Sequence, residues 1–210
     1  MENYNIYKEK LEFGFSRMLD SNVLFWNLWN ATYAFDTLER YKDEYINCFD
    51  AISEMWYFCW NIINNQQFNI NEFEFVFKKN FPFEINNNGE IINPKGVLHE
   101  LYENLSDDIL PELCINQLIY RFNTIYAGIS NREGKYGSNA NETPIEIIAL
   151  ILASNDLGFV FNNMNTPIVR NEINAQIKLI EELSVLHQFT YNDRNIYRNK
   201  DDMDSIKYKE

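Results

Sequence analysis

Asn22-Val23-Leu24-Phe25-Trp26-Asn27-Leu28-Trp29-Asn30-Ala31-Thr32-Tyr33-Ala34-Phe35-Asp36-Thr37-Leu38 decides how this chain folds. Phe25, Leu28, Thr32, Phe35 and Leu38 recur at three- and four-residue spacing and form one stripe, while Trp26, Trp29 and Tyr33 form a second on an adjacent face. That period is the period of an α-helix. A helix apolar over so much of its circumference is either central in the fold or carries a contact surface.

Working outward, the charged run Glu39-Arg40-Tyr41-Lys42-Asp43-Glu44 marks a turn or an exposed stretch of helix. After it, Tyr45, Phe49, Ile52, Trp56, Cys59, Trp60 and Ile63 make a further helical stripe, with Asp43, Asn47, Asp50 and Glu54 on another face. Residues 64–93 change character. Phe73, Phe75 and Phe77 alternate with Glu74, Val76 and Lys78, the period of a strand, although Asn71 could equally cap a short helix there. Asn88-Gly89 inside Glu84–Ile92 carries the sequence signal of a hairpin, because Asn and Gly tolerate the positive φ of a tight turn.

Downstream, Asn93-Pro94, Ser106-Asp107-Asp108, Thr143-Pro144 and Thr166-Pro167 each combine a short polar side chain, able to cap free amides, with a following apolar helical pattern. Gly128 to Asn141 reads as a loop, and beyond Tyr191 the chain turns polar and mixed in charge. The expected fold is mainly α: a single-domain helical bundle of five to seven helices over residues 1–190, with a small β-hairpin near residues 84–92 and a frayed tail at 191–210.

The bulk composition narrows function by exclusion. The chain has 210 residues, 46% apolar, enough to fill a core, and a formal charge of −13. Lys and Arg are not clustered before the C-terminal tail, which argues against direct binding of nucleic acid or an anionic membrane. Cys48, Cys59 and Cys114 are odd in number and form no CxxC pair, so they read as reduced, buried residues. The N-terminus lacks the basic start and apolar core of a signal peptide and no stretch approaches a membrane span, so the expected address is the cytoplasm.

Catalytic vocabulary is sparse. Neither His99 nor His187 has a carboxylate three residues before it, the spacing of helical di-metal sites, and neither follows an arginine by five residues as in helical toxin-type ribonucleases. No calcium-loop, GxSxG or phosphate-loop pattern occurs. No metal and no cofactor are therefore expected.

Two features point toward binding. Residues 1–112 hold 19 Asp and Glu against 8 Lys and Arg, so nearly all the negative charge belongs to one part of the protein. Within it, Asp36, Asp43, Asp50 and Glu54 follow at spacings of 7, 7 and 4, which lines them up on one face if a single helix register runs through them. Asp107 and Asp108 form a second acidic site. The aromatic residues, 16 Phe, 13 Tyr and 4 Trp, exceed what one core easily hides, and Tyr and Trp are favoured interface anchors. These readings favour a non-catalytic acidic protein that binds and inhibits a basic partner protein with a nucleic-acid-handling surface, as a toxin-immunity protein or a phage-encoded anti-defence inhibitor does. The alternatives are a helical hydrolase or nuclease whose carboxylates meet only in the fold, and a homo-oligomer assembled through aromatic faces.

Overall fold

A computed structural model of the chain describes residues 2–18, 20–65, 67, 69–80, 84–85, 91–92, 105–106, 109–130, 163–185 and 188–207. Among them are seven α-helices: α1 (Glu2–Ser16), α2 (Asp20–Leu38), α3 (Ile46–Asn65), α4 (Ile70–Asn80), α5 (Leu110–Ser130), α6 (Pro167–Leu183) and α7 (Lys200–Lys207). The described helices share one continuous buried core.

The quoted stretch is the centre of that core. Every residue from Asn22 to Leu38 is buried, with α3, α5, α6 and α7 all packed against α2 and α5 its most extensive neighbour. Of its buried polar residues, Asn22 Nδ2 donates across to the Leu183 carbonyl of α6 at 2.9 Å, and three others turn back on their own helix. Asn27 Nδ2 donates to the Val23 carbonyl at 3.1 Å, Asn30 Nδ2 to Trp26 at 2.9 Å and Thr32 Oγ1 to Leu28 at 3.0 Å. Such back-bonding satisfies a side-chain group without any partner from another element.

The helix ends where the sequence has nothing left to bury. Glu39–Tyr41 form a single 3-10 turn, and amides of Glu44 and Tyr45 donate to the Tyr41 carbonyl as the chain reverses into α3. The two helices then run antiparallel, fastened by Phe25 against Trp60 at one end and Phe35 against Phe49 and Trp56 at the other. Cys48, Ile52, Met55, Trp56, Cys59 and Trp60 are the buried stripe of α3. Both tryptophans are sealed, at 0% and 1% exposure, as the apolar spacing requires. All three cysteines are buried free thiols.

The alternating phenylalanines form a helix, not a strand. In a strand Phe73, Phe75 and Phe77 would share one face; in α4, Phe73 and Phe77 lie one turn apart and are buried, while Phe75 points outward at 70% exposure. The rings of Phe73 and Phe77 stack on Tyr126 of α5, at 6.4 Å and 4.0 Å between centroids. The cap is Asn69 rather than Asn71: its Oδ1 accepts from the amides of Asn71 at 3.0 Å and Glu72 at 3.4 Å. Glu84–Ile85 and Ile91–Ile92 pair antiparallel over two residues each. The expected hairpin near residues 84–92 is not borne out by so short a pairing, and the Asn-Gly turn on which it rested lies outside the described residues. Gly128 to Ser130, expected to open a loop, are instead the last residues of α5. The helix starts at Asn93-Pro94 and Thr143-Pro144, the remainder of that expected loop up to Asn141, and residues Asp107 and Asp108 also lie outside the described residues.

Thr166-Pro167 does open α6, but Thr166 does not cap it: the hydroxyl donates to the Asn163 carbonyl at 2.8 Å instead. At the start of α5, Glu112 reaches back to accept from the Ser106 amide at 2.6 Å. In α1, Gly14 lets the helix approach α6 so closely that a Cβ there would stand 2.8 Å from Ile180 Cγ1.

The largest departure from expectation is the tail. Residues 188–203 are docked on the core. Phe189 stacks on Phe25, Tyr191 packs edge-on to Trp60, and Met203 is buried. Trp29 Nε1 donates to the Ile196 carbonyl at 3.0 Å. Tyr197 takes a left-handed conformation, φ 70°, a costly one for a non-glycine residue, which turns the chain between Ile196 and Arg198.

Candidate protein-binding face

Because α3 buries one stripe against α2, its opposite face is left to solvent. Exposed there are Ile46 at 56% and Tyr57 at 47%, together with Asn47, Asp50, Glu54 and Asn61. Eleven residues separate Ile46 from Tyr57, roughly 16 Å along the axis. Asp43 and Glu44, also exposed, occupy the turn that enters the helix. Two exposed apolar side chains thus stand among carboxylates and amides.

The four-residue acidic row is not assembled as one face. Asp36 belongs to α2 and is 8% exposed, and the chain reversal between Leu38 and Ile46 breaks the register that would have joined it to Asp43 and Asp50. Glu54 is exposed but engaged: Lys79 Nζ donates to its two oxygens at 2.7 and 2.8 Å, and Asn80 Nδ2 donates at 2.9 Å. Those hydrogen bonds, from Lys79 first, hold its carboxyl below the ordinary carboxylate range. Asp43 and Asp50 remain as exposed acids of the kind expected.

Asp36 has a different neighbour. The Tyr57 phenol is pushed up by burial and then by the fields of Tyr191, Glu39 and Asp36, with Arg194 opposing. The end of α2, the outer face of α3 and the docked C-terminal segment therefore converge at Tyr57. Sequence spacing gave no sign of this, since Arg194 and Tyr191 lie in the stretch read as a tail. Arg194 stacks over the Tyr191 ring at 4.4 Å, a cation–π contact.

A second polar cluster lies inside the protein. Arg198 forks onto Glu172, with Nε to Oε2 at 3.0 Å and Nη2 to Oε1 at 2.8 Å, and both side chains are sealed at 0% and 1% exposure. Arg198 Nη1 donates to the Trp29 carbonyl at 2.6 Å, and the guanidinium lies over the Trp29 and Tyr33 rings at 3.5 and 4.1 Å. Gln176 Nε2 donates to Glu172 at 2.9 Å, and the Tyr7 hydroxyl donates to Gln176 Oε1. Tyr33 is held neutral by burial first and the Glu172 carboxylate second. These groups are mutually satisfied and sealed from solvent, so the cluster acts as a clasp that ties α1, α2, α6 and the C-terminal segment together.

Nucleophilic chemistry finds no support in the thiols. Burial raises Cys48 to about 11 and raises Cys59 and Cys114 further, which keeps all three protonated. His99 and His187 lie outside the described residues. Among the described residues no group of three His, Cys, Asp or Glu side chains stands ready to hold a metal ion, and no described helix is long and apolar enough to cross a membrane. Compared with protein-family models, curated proteins and solved structures, the chain matches none.

Proposed function

We propose that this is a non-catalytic, cytoplasmic binding protein that inhibits a basic partner protein by covering it with the outer face of α3. The observation that carries the reading is the exposure of Ile46 and Tyr57 on a helix with exposed carboxylates around it, Asp43, Glu44 and Asp50 at one end and Glu39 near Tyr57, interspersed with Arg40, Lys42 and Arg194. A tyrosine presents large contact area with few rotatable bonds, and exposed carboxylates on the same side of the protein steer a cationic surface toward it. Broad basic protein surfaces are those that hold phosphate backbones. The partner class is therefore a nucleic-acid-handling enzyme, and the biological setting a toxin-immunity pair or a phage-encoded block on a defence nuclease.

The test is competition. Immobilised protein should capture a basic partner that polyanionic RNA displaces, and salt should weaken capture because exposed charges are screened. Asp43→Asn/Glu44→Gln/Asp50→Asn should slow association and flatten the salt dependence, while Ile46→Ala/Tyr57→Ala should accelerate dissociation. Capture unaltered by both sets, at matched helicity by circular dichroism, would show that this face binds nothing.

A further inference from the structure

We infer that the groove between α1 and α6 is a binding site for a small carboxylate with an apolar body the size of one aromatic ring or a short acyl chain. The recess has a volume of about 200 Å³. For comparison, a ~150 Å³ apolar cavity already accepts a benzene-sized guest. Its apolar lining comes from Ile6 on α1, Ile173 and Ile177 on α6, and Met164 just ahead of α6.

The polar groups of the groove have one sign. Lys10 enters from α1 and Arg170 from α6, both exposed, with the amide side chains of Asn165 and Asn174 beside them. Among the described residues, the ion pairs are Lys8–Glu12, Lys78–Glu74, Lys79–Glu54 and Arg198–Glu172, so neither cation of the groove is in one. The first turn of α6 adds no acidic residue. In a chain of net charge −13, two cations facing one apolar recess run against the sign of the whole. A carboxylate is repelled elsewhere and held here, whereas a cation finds no counter-charge within the groove.

The floor is already built. Tyr7, which lines the groove, is fixed by its hydroxyl to Gln176, and Gln176 is fixed to Glu172 of the buried clasp. Small-molecule sites are generally such preformed, mostly apolar recesses with a few placed polar groups. A recess of this volume takes a side-chain-sized body, which favours a small molecule over a helix of a partner protein.

The site is independent of the α3 face and is tested on the intact chain. Titration with 3-phenylpropanoate, followed by amide shifts in heteronuclear NMR and by calorimetry, should show saturable binding of one molecule per chain with shifts at α1 and the start of α6. 3-Phenylpropylamine, with the same body and opposite charge, and inorganic phosphate, a head without a body, should each bind at least about tenfold more weakly. Lys10→Gln/Arg170→Gln, at exposed positions that spare the core, should weaken the carboxylate by a similar factor. Equal binding of the amine, binding unchanged in the double variant, or no saturable binding in the millimolar range overturns the assignment. So does capture of an acidic peptide at the groove without any binding of the free carboxylate.

Discussion

Replacing Arg198 with alanine is the sharpest perturbation of this fold. The substitution strips both donors of the fork from a Glu172 carboxylate that is 1% exposed, leaving Gln176 and the neighbouring Tyr33 to face it. It also removes the donor on the Trp29 carbonyl and the cation between the Trp29 and Tyr33 rings. Breaking one side of a buried pair costs about 3–5 kcal/mol, because the remaining charge is left in a dry interior. Against a typical domain stability of roughly 5–15 kcal/mol that is a large share. With a urea slope of about 2 kcal/mol/M, the unfolding midpoint should fall by about 2 M, followed by tryptophan fluorescence and far-UV circular dichroism. Arg198→Met/Glu172→Met should recover most of the loss, since an apolar pair leaves no charge uncompensated. A single variant destabilised by less than ~1 kcal/mol, or a double variant worse than the single, would refute the clasp.

Further outcomes follow from the packing. Trp56→Ala should cost about 3–5 kcal/mol in denaturant unfolding, because the indole is sealed and stacks on Phe35 at 4.4 Å. A near-neutral result would mean that α3 does not seat on α2 through this residue. Gly14→Ala should destabilise despite a gain of about 1 kcal/mol in helix propensity, since forced overpacking against Ile180 costs about 1–3 kcal/mol. Ile180→Ala in the same chain should relieve that clash, and failure to do so would place the strain elsewhere. The phenols of Tyr45 and Tyr197 are both raised from 10.0 to about 12, by burial first and then by Glu112 and Glu182 respectively. The folded chain thus keeps protons that the unfolded chain releases, so their contribution is full below pH 10 and is lost as pH rises toward 12. Urea midpoints should fall over that window, in step with a delayed tyrosinate absorbance at 295 nm; midpoints constant across it would contradict the assignment.

How far the sequence could be read depends on whether an element's pattern was local. The helical period around Phe25–Leu38 and Tyr45–Ile63 is self-contained, and so is the Thr166-Pro167 start, which is why these elements and the sealed Trp56 and Trp60 are legible. The Phe73-Phe75-Phe77 run fits two templates, since positions four apart satisfy both a strand and a helix. Only Tyr126, some fifty residues away, decides between them. The acidic row failed because spacing assumes one continuous register, and the polar run after Leu38 interrupts it. The C-terminal segment was opaque for a related reason. Its composition is polar, and nothing local reveals that Arg198 meets Glu172 or that Tyr197 bends the chain to deliver it. Tyr57 as the exposed anchor follows from knowing which face of α3 is covered.

The enclosure of α2 from Asn22 to Leu38 bears on how the protein comes into being. Its wall is not finished by its neighbours in sequence: Trp29 is closed by Ile196 and Arg198, 167 and 169 positions further along. At roughly 5–20 residues per second, a ribosome takes on the order of ten seconds or more to make that stretch. Throughout it, a helix bearing two tryptophans, two phenylalanines and a tyrosine lacks part of its cover. The newborn chain is thus a sticky intermediate by construction, and a transcript broken before Arg198 yields a product with an open seam for proteases to find.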